Sequence, residues 1–363
     1  MDHLYLWLEI FNQLDFKSQL SVIFSCKLFY NNLFITDLHN IEYKYLRLLT
    51  DKVLKQNIFL NATRLQCDNN NITNVTFMKK LKTLSVSSYH NNMDKNSIKG
   101  LDLVELNIFG NLDITNISFM TNLKKLDVSR DYNIDQISIK GLNLVTLNAS
   151  YNSKITDVAF MTNLKILSID GNSGINQNGI KNLDLVVLSA ANNNKIYDIA
   201  FMTNLKILDA YGDCGIDQKS IQQLDLIELN ANFNPKITDV SFMTNLKKLY
   251  AYSHNCGIGQ FGIKKLNLVV FDAGSNKRII DVSFMTNLKR LSIQNKCGVD
   301  QKSIDGLNLT ELNASDNSKI KNVSFMTNLK KLEIEGVCGV DQNGIKGLKL
   351  VKLVYNGNNK INY

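Results

Sequence analysis

The chain has 363 residues, with 41 Lys and Arg against 33 Asp and Glu and a formal net charge of +8. Apolar residues make up 44% of it, but none of its windows approaches the roughly 18 continuous apolar residues of a membrane span, which excludes a helical membrane protein. The four histidines (His3, His39, His90, His254) lack metal-ligand spacing, and there is no phosphate-binding G-x-x-x-x-G-K loop. The expectation is a chain with no catalytic residues, no metal and no cofactor.

Residues 2–35 carry apolar side chains at helical spacing: Leu4, Trp7, Leu8, Phe11 and Leu14, then Leu20, Ile23, Phe24, Leu28 and Phe29. Asp2 can cap a first helix, and Asp15 to Ser18 reads as a break with a second cap at Ser18. Asp2 and Glu9 interrupt the first apolar run and no basic leader precedes it, so it does not read as a secretory signal. From Thr36 to Leu60 another helix or two is expected, capped by Thr36 or Asp37, with Ile41, Tyr45, Leu48 and Leu49 on one face. Residues 39–60 therefore read as a stiff helical joint without a Gly, Ser or Pro-rich linker.

From residue 61 to 363 the chain repeats itself. Phe-Met recurs at Phe77, Phe119, Phe160, Phe201, Phe242, Phe284 and Phe325, at spacings of 41 or 42, and a fixed period of this kind decides the architecture. Each period has two halves with one spacing, as in Leu164, Leu167, Ile169, Asn172 and then Leu185, Leu188, Ala190, Asn193. Alternating apolar residues make a strand with one buried face. A unit of about 20 residues cannot bury that face alone, so neighbours must stack. Asn closes every second half, from Asn70 to Asn358, and its amide can satisfy the backbone where the chain turns. The Phe-Met tag is expected to fill the far side of the core, Phe on Phe. Phe160 and Phe201 on solvent would defeat that reading. Cys214, Cys256, Cys297 and Cys338 occupy equivalent places about 9–10 Å apart, too far for disulfides. They read as a buried ladder of small hydrophobes in a reducing compartment, cytoplasmic or nuclear.

The L-x-x-L-x-L-x-x-N spacing resembles the leucine-rich repeat, in short forms recurring about 15 times. The resemblance implies an α/β solenoid, a leucine-rich-repeat horseshoe with a parallel β-sheet on its concave face. Residues 1–38 resemble an F-box through Leu8-Glu9-Ile10-Phe11, Leu14-Asp15, Leu20, Val22 to Phe24 and the Cys26-Lys27-x-Phe29-Tyr30 ending. Asp2-His3 and Phe16 stand where that family has Leu-Pro and Pro. The resemblance implies a small helical domain that binds the Skp-type adaptor of a cullin-RING ubiquitin ligase through Leu8, Ile10, Phe11, Leu14 and Leu20. The repeats would then hold an unknown target protein. The other reading is a repeat scaffold whose N-terminal helices only cap the solenoid.

On the concave face most exposed positions are Ser, Asn or Asp. Asp209, Tyr211, Tyr250, Tyr252 and Asp272 differ and form the expected target-binding patch, with Phe233 near its edge. Lys82, Lys124, Lys165, Lys206, Lys247, Lys289 and Lys330 make a stripe before alternate strands. No aromatic or Arg interleaving accompanies it, so it reads as a solvated edge rather than a nucleic-acid surface.

Overall fold

A computed structural model describes residues 11–25, 33–39, 41, 45, 48–67, 71–87 and 93–362. They fall into two compact units, Met1–Ser168 with Asn172–Ile180, and Ile169–Gly171 with Lys181–Tyr363. In the first unit the strands are β1 (Asp37–Leu38), β2 (Arg64–Gln66), β3 (Thr83–Ser85), β4 (Glu105–Asn107), β5 (Lys125–Asp127), β6 (Thr146–Asn148) and β7 (Ile166–Ser168). In the second they are β8 (Val187–Ser189), β9 (Ile207–Asp209), β10 (Glu228–Asn230), β11 (Lys248–Tyr250), β12 (Val270–Asp272), β13 (Arg290–Ser292), β14 (Glu311–Asn313), β15 (Lys331–Glu333) and β16 (Lys352–Val354). Within each unit every strand pairs in parallel with the next one in sequence. The middle leucines are in register, Leu126 with Leu147 and Leu229 with Leu249. Each unit is a parallel β-solenoid, because a strand of three residues can bury its single inward side chain only against the coils on either side.

The inner turn is built as the Asn spacing suggests. Asn276 Nδ2 donates to Ala251 O (3.0 Å) and Ile258 O (2.9 Å) of the preceding coil, while its Oδ1 accepts from Arg278 N. Asn152, Asn317 and Asn358 repeat this bridge, and all four are buried. In alternate coils the place is taken by a small buried residue, Ser173, Cys214, Cys256, Cys297 or Cys338. The Cys214 thiol lies 3.2 Å from Ala210 O. Glycine follows each of these residues because a Cβ at Gly174, Gly215, Gly257, Gly298 or Gly339 would come within 2.6 Å of a preceding backbone oxygen.

The Phe-Met tag faces the other way from the expectation. Met161, Met202, Met243, Met285 and Met326 are buried, while Phe119, Phe160 and Phe201 are each 42% exposed. The reason is a turn with a period of three. Met202 N bonds to Ile199 O (2.9 Å) and Leu205 N to Met202 O (3.0 Å), so Ile199, Met202 and Leu205 point inward and Phe201 outward. The parallel register is untouched by this correction, because either member of the tag can close the core. Those Phe rings on solvent were too blunt a criterion against the repeat.

At the N-terminal end helix α1 (Phe16–Ser25) is capped by Asp15, not by Ser18. Asp15 accepts from Ser18 N (2.9 Å) and Ser18 Oγ (3.2 Å). A carboxylate placed before the first turn reaches its free N–H groups, and a serine inside that turn does not. Part of the expected joint, residues 40, 42–44 and 46–47, lies outside the described residues. β1 pairs with β2, and α2 (Asp51–Leu54) is one turn capped by Thr50 Oγ1.

Candidate protein interface

The three residues of each strand alternate outward, inward and outward, and a further outward residue follows two positions after the third. The coil then turns through a residue of positive φ, filled by Gly110, Gly171, Gly212, Gly336 or Gly357, by Asn192, Asn295 or Asp316, by Ser253 or Ser275, and by the bulky Arg130, Tyr151 and Phe233 (φ 55°, 60° and 59°).

In the second unit this geometry gathers the predicted residues. The register Asp209–Asn230–Tyr250–Asp272 makes one row across β9 to β12, and Tyr211 and Tyr252 stand in the next row. Phe233 lies between those two, not at an edge. Its ring centroid is 5.4 Å from that of Tyr211 and 5.5 Å from that of Tyr252, with the planes tilted by 55° and 49°. This is the tilted contact that aromatic quadrupoles favour. The Tyr252 ring lies over Gly274, where a Cβ would come within 2.7 Å of it. The Tyr252 hydroxyl accepts from Asn295 Nδ2 at 3.2 Å. Sequence spacing alone hid the centrality of Phe233, since its position depends on the left-handed turn.

The carboxylates beside these rings are partly withdrawn from water. Asp209 Oδ1 accepts from Tyr211 N (3.0 Å), and Asp272 Oδ1 from Gly274 N (3.0 Å). Burial pushes the Asp209 carboxyl above the ordinary range, and the charges of Asp170 and Glu228 add to it. Asp272 is raised by burial. Two concavities flank Tyr250. One of about 360 Å³ is bordered by Ile207, Asp209 and Glu228, the other of about 270 Å³ by Asp272, Arg290 and Glu311. The thiols of Cys214, Cys256 and Cys297 are pushed up to about 11 by burial. Among the described residues no group of three His, Cys, Asp or Glu is placed to hold a metal ion. Nor is any helix there long and apolar enough to cross a membrane.

Of the residues expected to meet an adaptor, Leu8 and Ile10 lie outside the described residues. Phe11 is buried within the chain, and Leu14 and Leu20 are half-buried. The lysine stripe is partly neutralised in place. Lys82 Nζ pairs with Asp102, and Lys206 Nζ lies 3.9 Å from Asp225.

No family model matches this chain, and no curated protein matches it. Among solved structures, an internalin from Listeria monocytogenes is similar with a TM-score of 0.46 and 21% identity, over 80% of this chain and 86% of its own. A chain of the yeast Rad7 and Elc1 complex has a TM-score of 0.44 and 16% identity, over 77% and 85%. A leucine-rich-repeat protein from Leptospira interrogans has 0.40 and 16%, over 90% and 92%. At such scores these likenesses say nothing about partners. Its own strand register and its buried Asn residues make the chain a parallel β-solenoid of the leucine-rich-repeat type.

Proposed function

We propose that the chain is a non-catalytic protein-binding receptor that holds a target on the outward face of β9 to β12. The observation that supports it best is the contact of Tyr211, Phe233 and Tyr252 outside the core, with Phe233 held at φ 59°. A left-handed backbone costs a bulky residue roughly 1–2 kcal/mol, and the preceding coil avoids that cost with Gly212, whereas Tyr151 bears it as Phe233 does. What sets Phe233 apart from the equally left-handed Tyr151 is its contact with two tyrosine rings. Rigid aromatic area of this kind is what binding hot spots are made of.

The finer reading is that of a substrate receptor in a cullin-RING ubiquitin ligase, with residues 1–38 docking on a Skp-type adaptor. It rests on the F-box resemblance of Leu8 to Phe11, Leu14, Leu20 and the Cys26 to Tyr30 ending. Purified adaptor and the full chain should form a complex that is lost when Leu8 and Ile10 are both changed to Asp, with the solenoid's circular dichroism and melting unchanged. Loss of binding and of folding together would favour helices that only cap the solenoid. A photo-crosslinker at Tyr250 should join the target, whereas one at Phe160, on the turn side, should not.

A further inference from the structure

Two rows of the target-binding face carry charge opposite to that of the chain. In the second unit the first outward row mixes both signs, with Glu228, Lys248, Arg290, Glu311, Lys331 and Lys352, and the two rows beyond it are the third residue of each strand and the residue two after that. The charged members of these two rows are Asp209, Asp272, Glu333 and Glu335, all acidic, in a chain of net charge +8. These carboxylates are held by neutral donors: Asp209 by Tyr211 N, Asp272 by Gly274 N, Glu333 by Asn313 Nδ2 (2.8 Å) and Glu335 by Asn356 Nδ2 (3.0 Å). The nearby cations of the first row are already paired, Lys248 with Glu228 at 2.8 Å, and Arg290 and Lys331 with Glu311 at 3.1 and 3.6 Å. Asp170 adds to the same field at Asp209, where like charge and burial both disfavour the ionised form. A cation arriving from outside relieves that repulsion, and the aromatic faces of Tyr211, Phe233 and Tyr252 favour it further.

Resting on the target-binding reading above, we propose that the bound segment is an extended stretch of a target protein with two basic residues four positions apart. The spacing follows from the register. Asp209 and Asp272 are three strands apart in one row, about 14 Å at about 4.8 Å per strand. Four residues of extended chain cover about 13–14 Å and return the side chain to the same face. The first cation meets Asp209 beside the aromatic group, the residue two further on meets Tyr250, and the second cation meets Asp272.

Labelled nonapeptides test this on the full chain by fluorescence polarisation: one with arginines four positions apart, one with glutamates there, and one with the two arginines adjacent. Asp209→Asn with Asp272→Asn is the informative variant, because Asn already occupies this place at Asn230 and Asn313, where its Oδ1 accepts the same backbone N–H. The spaced arginine peptide should bind the native chain, weaken as salt rises, and lose about tenfold or more on the double variant. Equal binding of the glutamate or adjacent-arginine peptide overturns the proposal, as does an unchanged affinity of the double variant or no binding of the spaced peptide. A purified target that needs Tyr211 and Tyr252 but is indifferent to the double variant would sink the charge assignment alone and leave the receptor reading standing.

Discussion

Asp131 and Phe233 are two residues whose places in the repeat carry a cost. Asp131 sits in the buried place that Asn fills elsewhere. Its Oδ1 accepts from Asn133 N (2.7 Å) and Ile134 N (3.1 Å), as an amide oxygen would, but its buried Oδ2 has no partner. An amide there could instead donate to the preceding coil, as Asn152 does. Burial raises the Asp131 carboxyl from 3.8 to about 6. The folded chain therefore holds a proton that the unfolded chain has released, and stability falls as the pH rises between these values. Above about pH 6 the penalty is complete, at most about 3 kcal/mol for two pKa units. Asp131→Asn should raise the unfolding free energy by about 1–3 kcal/mol at neutral pH and change it little near pH 4, as read from denaturant melts at both. A less stable variant at neutral pH contradicts this. Phe233 is the opposite case, a residue whose removal should help folding. Phe233→Gly matches Gly212 one coil earlier, so thermal stability should hold or rise by about 1 kcal/mol while target affinity drops. A large loss of stability would mean the ring belongs to the core after all.

At the scale of one coil the inward set is the strand leucine, the Asn or Cys of the inner turn, and the Val or Ile, Met and Leu of the outer turn. Met202→Ala should cost about 2–5 kcal/mol through the cavity it leaves, while Phe201→Ala, with its ring 42% exposed, should cost roughly 1 kcal/mol. The reverse order in urea melts would restore the inward phenylalanine. This difference marks what was legible in the sequence. Strand positions and parallel order were readable because a two-residue alternation and a 41-residue period leave one solution. Which half of Phe-Met points inward was not readable, because both are apolar and only hydrogen bonds three residues apart decide. What closes the inner turn of the first halves was not readable either. The thiol or hydroxyl one residue later replaces the Asn, as at Ser173 and Cys214. The members of the aromatic patch were legible as tyrosines at outward positions, whereas the contact that joins them depends on one left-handed residue.

Across the molecule, charge and structure are sorted by face. The ion pairs of the outward sheet face join the first residues of neighbouring strands, Glu105–Lys125 at 2.8 Å in the first unit and Arg290–Glu311 at 3.1 Å in the second. Exposed pairs of this kind contribute roughly 0.2–1 kcal/mol each. They leave the next rows of the second unit to aromatic and acidic groups that do nothing for the core. A repeat architecture tolerates this, since its stability comes from each coil and its neighbours and not from that face. Folding and binding thus rest on different residues, and isothermal titration calorimetry with a purified target tests that separation most directly. Tyr211→Ala, Tyr250→Ala and Tyr252→Ala combined should weaken the target's affinity by several kcal/mol, at about 2 kcal/mol or more for each central anchor, with the melting curve almost unchanged. A target that binds this triple variant with undiminished affinity would contradict the account and place binding on another face.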